Sequence, residues 1–381
     1  MTNEINFLSN IKPALQKIWA KSHFTVPTPI QNRAIPYILE GKDLIAQSPT
    51  GTGKTIAYLL PIVEHIQVDN NSLQAVILAP SRELVMQIYQ ELQKWTEDTE
   101  ITGVSLVGGA NIKRQLDKLK KKPQIAVGTP GRILELIKLK KLKMHDVKTI
   151  VLDEGDQLLI NEHLQTVRTI VKSAQNDRQL LLFSATSLKE IDLITAMIDR
   201  KPEIIKVERT ETASKGVNHY YLISEPREKA ELLRRIAAME GMKGLVFVRD
   251  VASMTVLAEK LKYEKVSLDI LHSELGKNDR EKALRALRDG DVKILLATDV
   301  AARGLDIEGL THVIHSDFPA DVEQYIHRSG RTGRMGAAGT VVSLVTSREE
   351  RELKKYGRQL DLEVQLRRLS HGKFIEVNLK K

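Results

Sequence analysis

Short runs of aliphatic and β-branched residues alternate along this chain with segments whose apolar positions recur at helical spacing. That alternation predicts βαβ units and parallel sheets. In the first half the runs predict strands at Asp43–Gln47, Ala75–Ala79, Val104–Val107, Gln124–Val127, Thr149–Leu152 and Leu180–Phe183. The alternation lapses from Lys201 to Asn218, and within that span Glu208–Gly216 has the polar composition of a linker. A second set of strands is expected at His219–Ile223, Gly244–Val248, Ser267–Leu271, Lys293–Ala297, His312–His315 and Thr340–Val345. The predicted architecture is α/β, with two tandem doubly wound parallel-sheet domains, 1–207 and 217–381, joined by 208–216. The tail Phe374–Leu379 fits either a short strand or a disordered end. No short-period repeat and no low-complexity tail is visible.

The 381 residues are too many for one ordinary doubly wound domain and suit two cores. No stretch approaches the roughly 20 apolar residues of a membrane span, so no membrane partner is expected. The first residues lack the basic-then-apolar pattern of a secretory signal. There is no cysteine, which excludes disulfides and thiolate metal sites and fits a reducing, cytoplasmic setting. A net charge of +9 permits a nucleic-acid partner. Aromatic residues make up only 4%, which argues against recognition by many stacked bases. The clusters Lys118–Lys122 and Lys138–Lys143 are read as solvated helix faces or loops.

The chemistry concentrates in two segments. Ser48-Pro-Thr-Gly-Thr-Gly-Lys-Thr55 falls between a predicted strand and the predicted helix Ile56–Ile66. Glycines at 51 and 53 let backbone N–H groups approach phosphate oxygens. Lys54 suits the β- and γ-phosphates, the Thr55 hydroxyl suits magnesium, and the helix N-terminus faces the anion. Pro49, Thr50 and Thr52 complete the cradle, while Ser48 stands where the general pattern has its first glycine. Asp153-Glu-Gly-Asp156 ends the apolar strand Thr149–Leu152. Asp153 suits a magnesium ligand, and Glu154 suits the group that positions or deprotonates an attacking water. Far downstream, Arg328-Ser-Gly-Arg-Thr-Gly-Arg334 is placed to reach such a site from the second domain.

In this order the segments resemble the DEAD-box ATP-dependent RNA helicases of superfamily 2, and the likeness runs from Phe7 to Arg368. It implies two RecA-like domains, ATP and magnesium as cofactors, and RNA-stimulated ATP hydrolysis coupled to opening of short duplexes or remodelling of RNA–protein complexes. His23–Gln31 is similar to the Q motif, in which Gln31 would read adenine and favour ATP over GTP. Phe7 sits at the spacing of the family's upstream adenine-packing aromatic, or is an ordinary core phenylalanine. Asp156, Ser184, Thr186 and His327 would couple the nucleotide site to closure. Pro80, Arg82, Gly108, Gly109, Thr129 and Arg132, with Arg280 and Thr298 in the second domain, would contact the RNA backbone, with little sequence preference. Asp306 would hold the ribose, and Arg331 and Arg334 would act as arginine fingers. The protein is expected to work as a monomer.

The match departs from the family at Gly155, where alanine is usual, at Asp250, where a hydroxyl usually meets phosphate, and at Lys277 in place of glutamine. The missing methyl at Gly155 is expected to loosen its turn, and a carboxylate at 250 to repel phosphate. Two other readings stand beside the helicase. One is an ATP-gated RNA clamp or scaffold, against which intact Lys54, Glu154, Arg331 and Arg334 argue. The other is a DNA translocase, against which the Q motif argues.

Overall fold

The computed structural model describes residues 7–21, 26–49, 51–186, 200–207, 216–272, 274–302, 307, 309–333 and 337–377. Thr50, Asp306 and Arg334, part of the Q motif (His23–Thr25) and all but Gly216 of the expected linker lie outside the described residues. The chain divides into two compact units, Met1–Thr212 and Ala213–Lys381.

In the first unit seven strands form one sheet: β1 (Leu44–Gln47), β2 (Ala75–Leu78), β3 (Gly103–Leu106), β4 (Ile125–Gly128), β5 (Thr149–Asp153), β6 (Gln179–Ser184) and β7 (Glu203–Lys206). Their spatial order is β3-β4-β2-β5-β6-β1-β7, every pair parallel. Successive side chains of a strand point to opposite faces. Leu44 and Ala46 therefore enter one hydrophobic cluster while Ile45 enters the other. Helices cover both faces, which is why these strands read as unbroken apolar runs. β7 falls where the sequence alternation lapses. It is an edge strand on β1, with Ile204 half exposed between Glu203 and Lys206, so its apolar signal is weak.

The second unit contains β8 (Val217–Ile223), β9 (Gly244–Phe247), β10 (Leu268–Leu271), β11 (Ile294–Ala297), β12 (His312–His315), β13 (Gly339–Val345), β14 (Val364–Ser370) and β15 (Lys373–Glu376). Their order is β10-β11-β9-β12-β13-β8-β14-β15. β14 joins β8 in parallel, but β15 returns antiparallel to β14, so this sheet has a mixed edge. The turn between them is His371-Gly372, both at positive φ (47° and 69°), the two-residue geometry that matches strand twist. Of the two readings of the tail, the strand holds from Lys373 to Glu376. Phe374 packs beside Tyr220, whose ring also carries the Arg367 guanidinium at 5.0 Å.

Two histidines on β12 make the second unit sensitive to acid. Burial pushes His312 down to about 4 and His315 well below the ordinary imidazole value, with Arg328 and His219 adding to the latter. The unfolded chain then takes up protons first, near pH 6.5. Stability present above that pH is lost as pH falls through the folded values. For His312 alone the loss by pH 4 is on the order of 3 kcal/mol. Urea unfolding of His312→Asn at pH 7.5 and pH 5 should show a smaller acid loss than wild type. An equal loss in both proteins would remove His312 as the cause.

Candidate functional site

The carboxyl ends of β5, β6 and β1 lie side by side, since Asp153 pairs with Phe183 and Gln47 with Ser184. In open parallel sheets this is the edge where ligands bind. The loop after β1 is held there by its own polar groups. The Ser48 N–H donates to the Ser184 carbonyl (3.0 Å), and the Ser48 and Thr52 hydroxyls lie 2.7 Å apart. Ser48, fully buried, thus closes the loop by a side-chain bond at the position where the general pattern has glycine. Gly51 and Gly53 have φ of 75° and 87°, which side chains rarely adopt. The helix begins at Lys54, two residues earlier than the sequence pattern suggests, so Lys54 and Thr55 belong to its first turn. Lys54 Nζ donates to the carbonyls of Ser48 (2.6 Å) and Pro49 (2.9 Å), folding over the cradle from within.

Gln31 is fully buried behind this loop. Its carbonyl accepts from the Thr28 N–H (2.8 Å) and its amide donates to the Gly53 carbonyl (3.3 Å). A Cβ on Gly53 would come within 2.5 Å of that amide. The glutamine is therefore tied to the phosphate loop, and two-point contact with a base requires these bonds to be exchanged. Phe7 is 2% exposed and packs edge-on against Trp19, with ring centroids 5.9 Å apart. Of its two readings, the core phenylalanine is the one that matches this placement; no ring face is open to adenine here.

At the end of β5, Asp153 is buried, with Oδ1 accepting from the Glu154 N–H (2.9 Å) and Oδ2 from the Tyr58 hydroxyl (2.8 Å). Burial, then the neighbouring Glu154 charge, pushes its carboxyl up to about 6, against the opposing pull of Lys54. Glu154 has φ 50° and ψ 53° and stands at the N-cap position of the short helix Gly155–Leu158. The place of the missing methyl is taken by a neighbouring side chain. Gly155 is buried, and an added methyl would meet Leu182 side-chain atoms at 2.8–3.0 Å, so Leu182 fills that space. The Thr186 hydroxyl donates to Asp156 Oδ2 (3.0 Å), and the Ser184 hydroxyl donates to the Thr186 carbonyl (3.0 Å). The structure thus gathers Lys54, Thr55, Asp153, Glu154, Asp156, Ser184 and Thr186 at one edge.

The same edge continues over β2, β4 and β3. Arg82 opens the helix Arg82–Trp95, capped by Ser81, and its guanidinium covers Gly109, where a Cβ would meet it at 2.3–2.6 Å. Gly109 has φ 72°, and Gly108 has open space beside its Cα. Pro80 precedes that helix, and Thr129 stands at the N-cap position of the helix Pro130–Lys138 without a side-chain cap bond. Arg132, expected at the RNA backbone, has Nη1 without a hydrogen-bond partner. It is 7% exposed, donates to the Ala110 carbonyl (3.3 Å), lies 3.0 Å from Glu135 and braces the glycine turn.

In the second unit Arg280 is likewise a brace. It donates to the carbonyls of His272 (3.3 Å) and Ala301 (3.2 Å), and so links the end of β10 to the turn Asp299–Ala302. Thr298, nearly buried, begins that turn. Asp250 caps the helix Val251–Tyr263 by accepting from the Ser253 N–H (2.8 Å). That bond, with Arg249 nearby, holds its carboxyl below the usual range. Its charge is engaged by its own helix. Arg331 is 6% exposed, and its Nε donates to the His327 carbonyl at 3.1 Å.

Two side-chain pairs escaped sequence reasoning. Arg328 binds Asp299 through two bonds of 2.7 Å, donates to the Asp317 carbonyl and covers the Phe247 ring at 5.1 Å. Both residues sit in motif-like segments, which was the available signal. Tyr58 reads in sequence as a core aromatic, and nothing there announced its bond to Asp153. Among the described residues, no group of three His, Asp or Glu side chains could hold a metal by itself, and no helix is long and apolar enough to cross a membrane.

The DEAD/DEAH box helicase family model matches residues 28–194, and the helicase conserved C-terminal domain matches residues 228–336. The chain belongs to the DEAD-box helicases of superfamily 2. It is 53% identical over 364 residues to the probable ATP-dependent RNA helicase YfmL of Bacillus subtilis (strain 168), covering 96% of each chain. It is 51% identical over 373 residues to the DEAD-box ATP-dependent RNA helicase CshC of Bacillus cereus, covering 98% of this chain and 96% of that one. Among solved structures, S. cerevisiae Dbp5 bound to RNA and ADP BeF3 superposes with a TM-score of 0.85 at 31% identity, covering 93% of each chain.

Proposed function

We propose that this chain is an ATP-dependent RNA helicase that hydrolyses ATP when RNA is bound and opens short duplexes or remodels RNA–protein complexes. The observation that carries this reading is the single sheet edge at which the phosphate loop, Asp153-Glu154 and Ser184–Thr186 meet, continued by the Arg82–Gly109 turn. Thr55 and Asp153 offer hard oxygen donors, and the raised carboxyl of Asp153 is relieved by a cation, so the site fits magnesium held jointly with phosphates. When bound, magnesium supplies charge neutralisation at the β- and γ-phosphates. Lys54 leaves its loop carbonyls for the phosphates, and Glu154 positions or deprotonates water. Arg331, with Arg334, stabilises charge on the transferred group.

Residues 208–216 act as the linker, and ATP and RNA each favour the same closed state, so each raises the other's affinity. RNA is held by its backbone, with marked salt sensitivity. The protein works as a monomer in the cytoplasm, a setting its cysteine-free composition suits. The test is steady-state ATP hydrolysis alone, with single-stranded RNA and with matched DNA. Stimulation by RNA only is expected. Tight ATP-dependent RNA binding without turnover would favour the clamp, and equal stimulation by DNA would favour the translocase.

A further inference from the structure

Tyr58 lies on the helix Lys54–His65, among side chains buried continuously from Ile56 to Val63. A phenol in such a place is costly unless its hydroxyl is hydrogen-bonded. Here the hydroxyl donates to Asp153 Oδ2 at 2.8 Å. Thr55 and Tyr58 are three residues apart, on one face of the helix. The Tyr58 ring packs against Phe183, with centroids 5.2 Å apart, immediately before Ser184. Both Asp153 oxygens are thereby held, Oδ1 by the backbone N–H of Glu154 and Oδ2 by this one side chain.

We propose that Tyr58 is a positioning residue for the nucleotide site, its hydroxyl fixing the Asp153 carboxylate read as a magnesium ligand. The inference rests on the reading of Thr55 and Asp153 as the magnesium-facing pair. A phenylalanine would keep the ring, the burial and the contact with Phe183, and would remove only the hydrogen bond to Asp153. Partners that orient metal ligands typically change metal affinity by about 10–100-fold when lost. Tyr58 is fully buried and far too enclosed to touch nucleotide itself, so its effect must run through Asp153.

The experiment is binding of a fluorescent ADP analogue to the full chain, titrated with magnesium and repeated in excess chelator. Wild type, Tyr58→Phe, Asp153→Asn and the double variant are compared, with thermal unfolding followed on each. Tyr58→Phe should bind as wild type in chelator but need about tenfold more magnesium for the same occupancy. In the Asp153→Asn background the same change should add little, because the two residues act as one unit. An unchanged magnesium requirement would overturn the inference. So would an equal loss of affinity with and without magnesium, or a Tyr58→Phe effect that persists in full in the Asp153→Asn background. A wild type indifferent to magnesium would instead remove the underlying metal-site reading, and this inference with it.

Discussion

Glu154→Gln is expected to lower ATP turnover by about 10²–10⁴-fold while leaving ATP and RNA binding in place. The amide keeps the size of the side chain and the left-handed backbone at φ 50°, so the turn after β5 is preserved. It cannot accept a proton from water. The phosphate loop, with Lys54 over the Ser48 and Pro49 carbonyls, is untouched by the change. Single-turnover hydrolysis together with nucleotide and RNA affinities would separate the two effects. Turnover within about tenfold of wild type would be too small for loss of a general base, and Glu154 would lose that role.

Arg331→Ala should cost more still, about 10³–10⁵-fold in kcat with RNA bound, because a finger stabilises charge that exists only in the transition state. The ATP KM should move little, as befits an interaction absent from the ground state. Arg331→Lys should recover only a small part, since an ammonium lacks the planar fork. Arg331 is nearly buried and bonded to the His327 carbonyl, so thermal unfolding must accompany the kinetics. A loss confined to KM, or to stability, would take the finger role from this residue.

The strands β1–β6 and β8–β13 were legible to within a residue or two, most of them because strands buried on both faces leave nearly continuous apolar runs. β7 and β14 were not, and β15 stood as one of two readings of the tail, because these marginal strands carry charged residues such as Glu203, Lys206, Arg367, Arg368, Lys373 and Glu376. The phosphate loop was legible from Gly51, Gly53 and Lys54, whose spacing is set by local backbone geometry. What Arg132, Arg280 and Gln31 do was not. Their partners, Ala110, His272 with Ala301, and Gly53, come from segments that only the fold brings near. Spacing identifies a residue type at a place; whether its donors are already engaged depends on neighbours distant in sequence.

The order of strands in the first sheet also bears on how the protein is made. β1 carries the phosphate loop, yet Leu44 pairs with Leu181 on one side and Glu203 on the other. Contacts of such long sequence separation form late and slowly. A chain emerging from the ribosome builds β2, β4 and β5 against one another while β1, already synthesised, still lacks both neighbours. The strand made first is therefore walled in last, and the phosphate loop it carries gains its sheet neighbours only once β6 and β7 have been made.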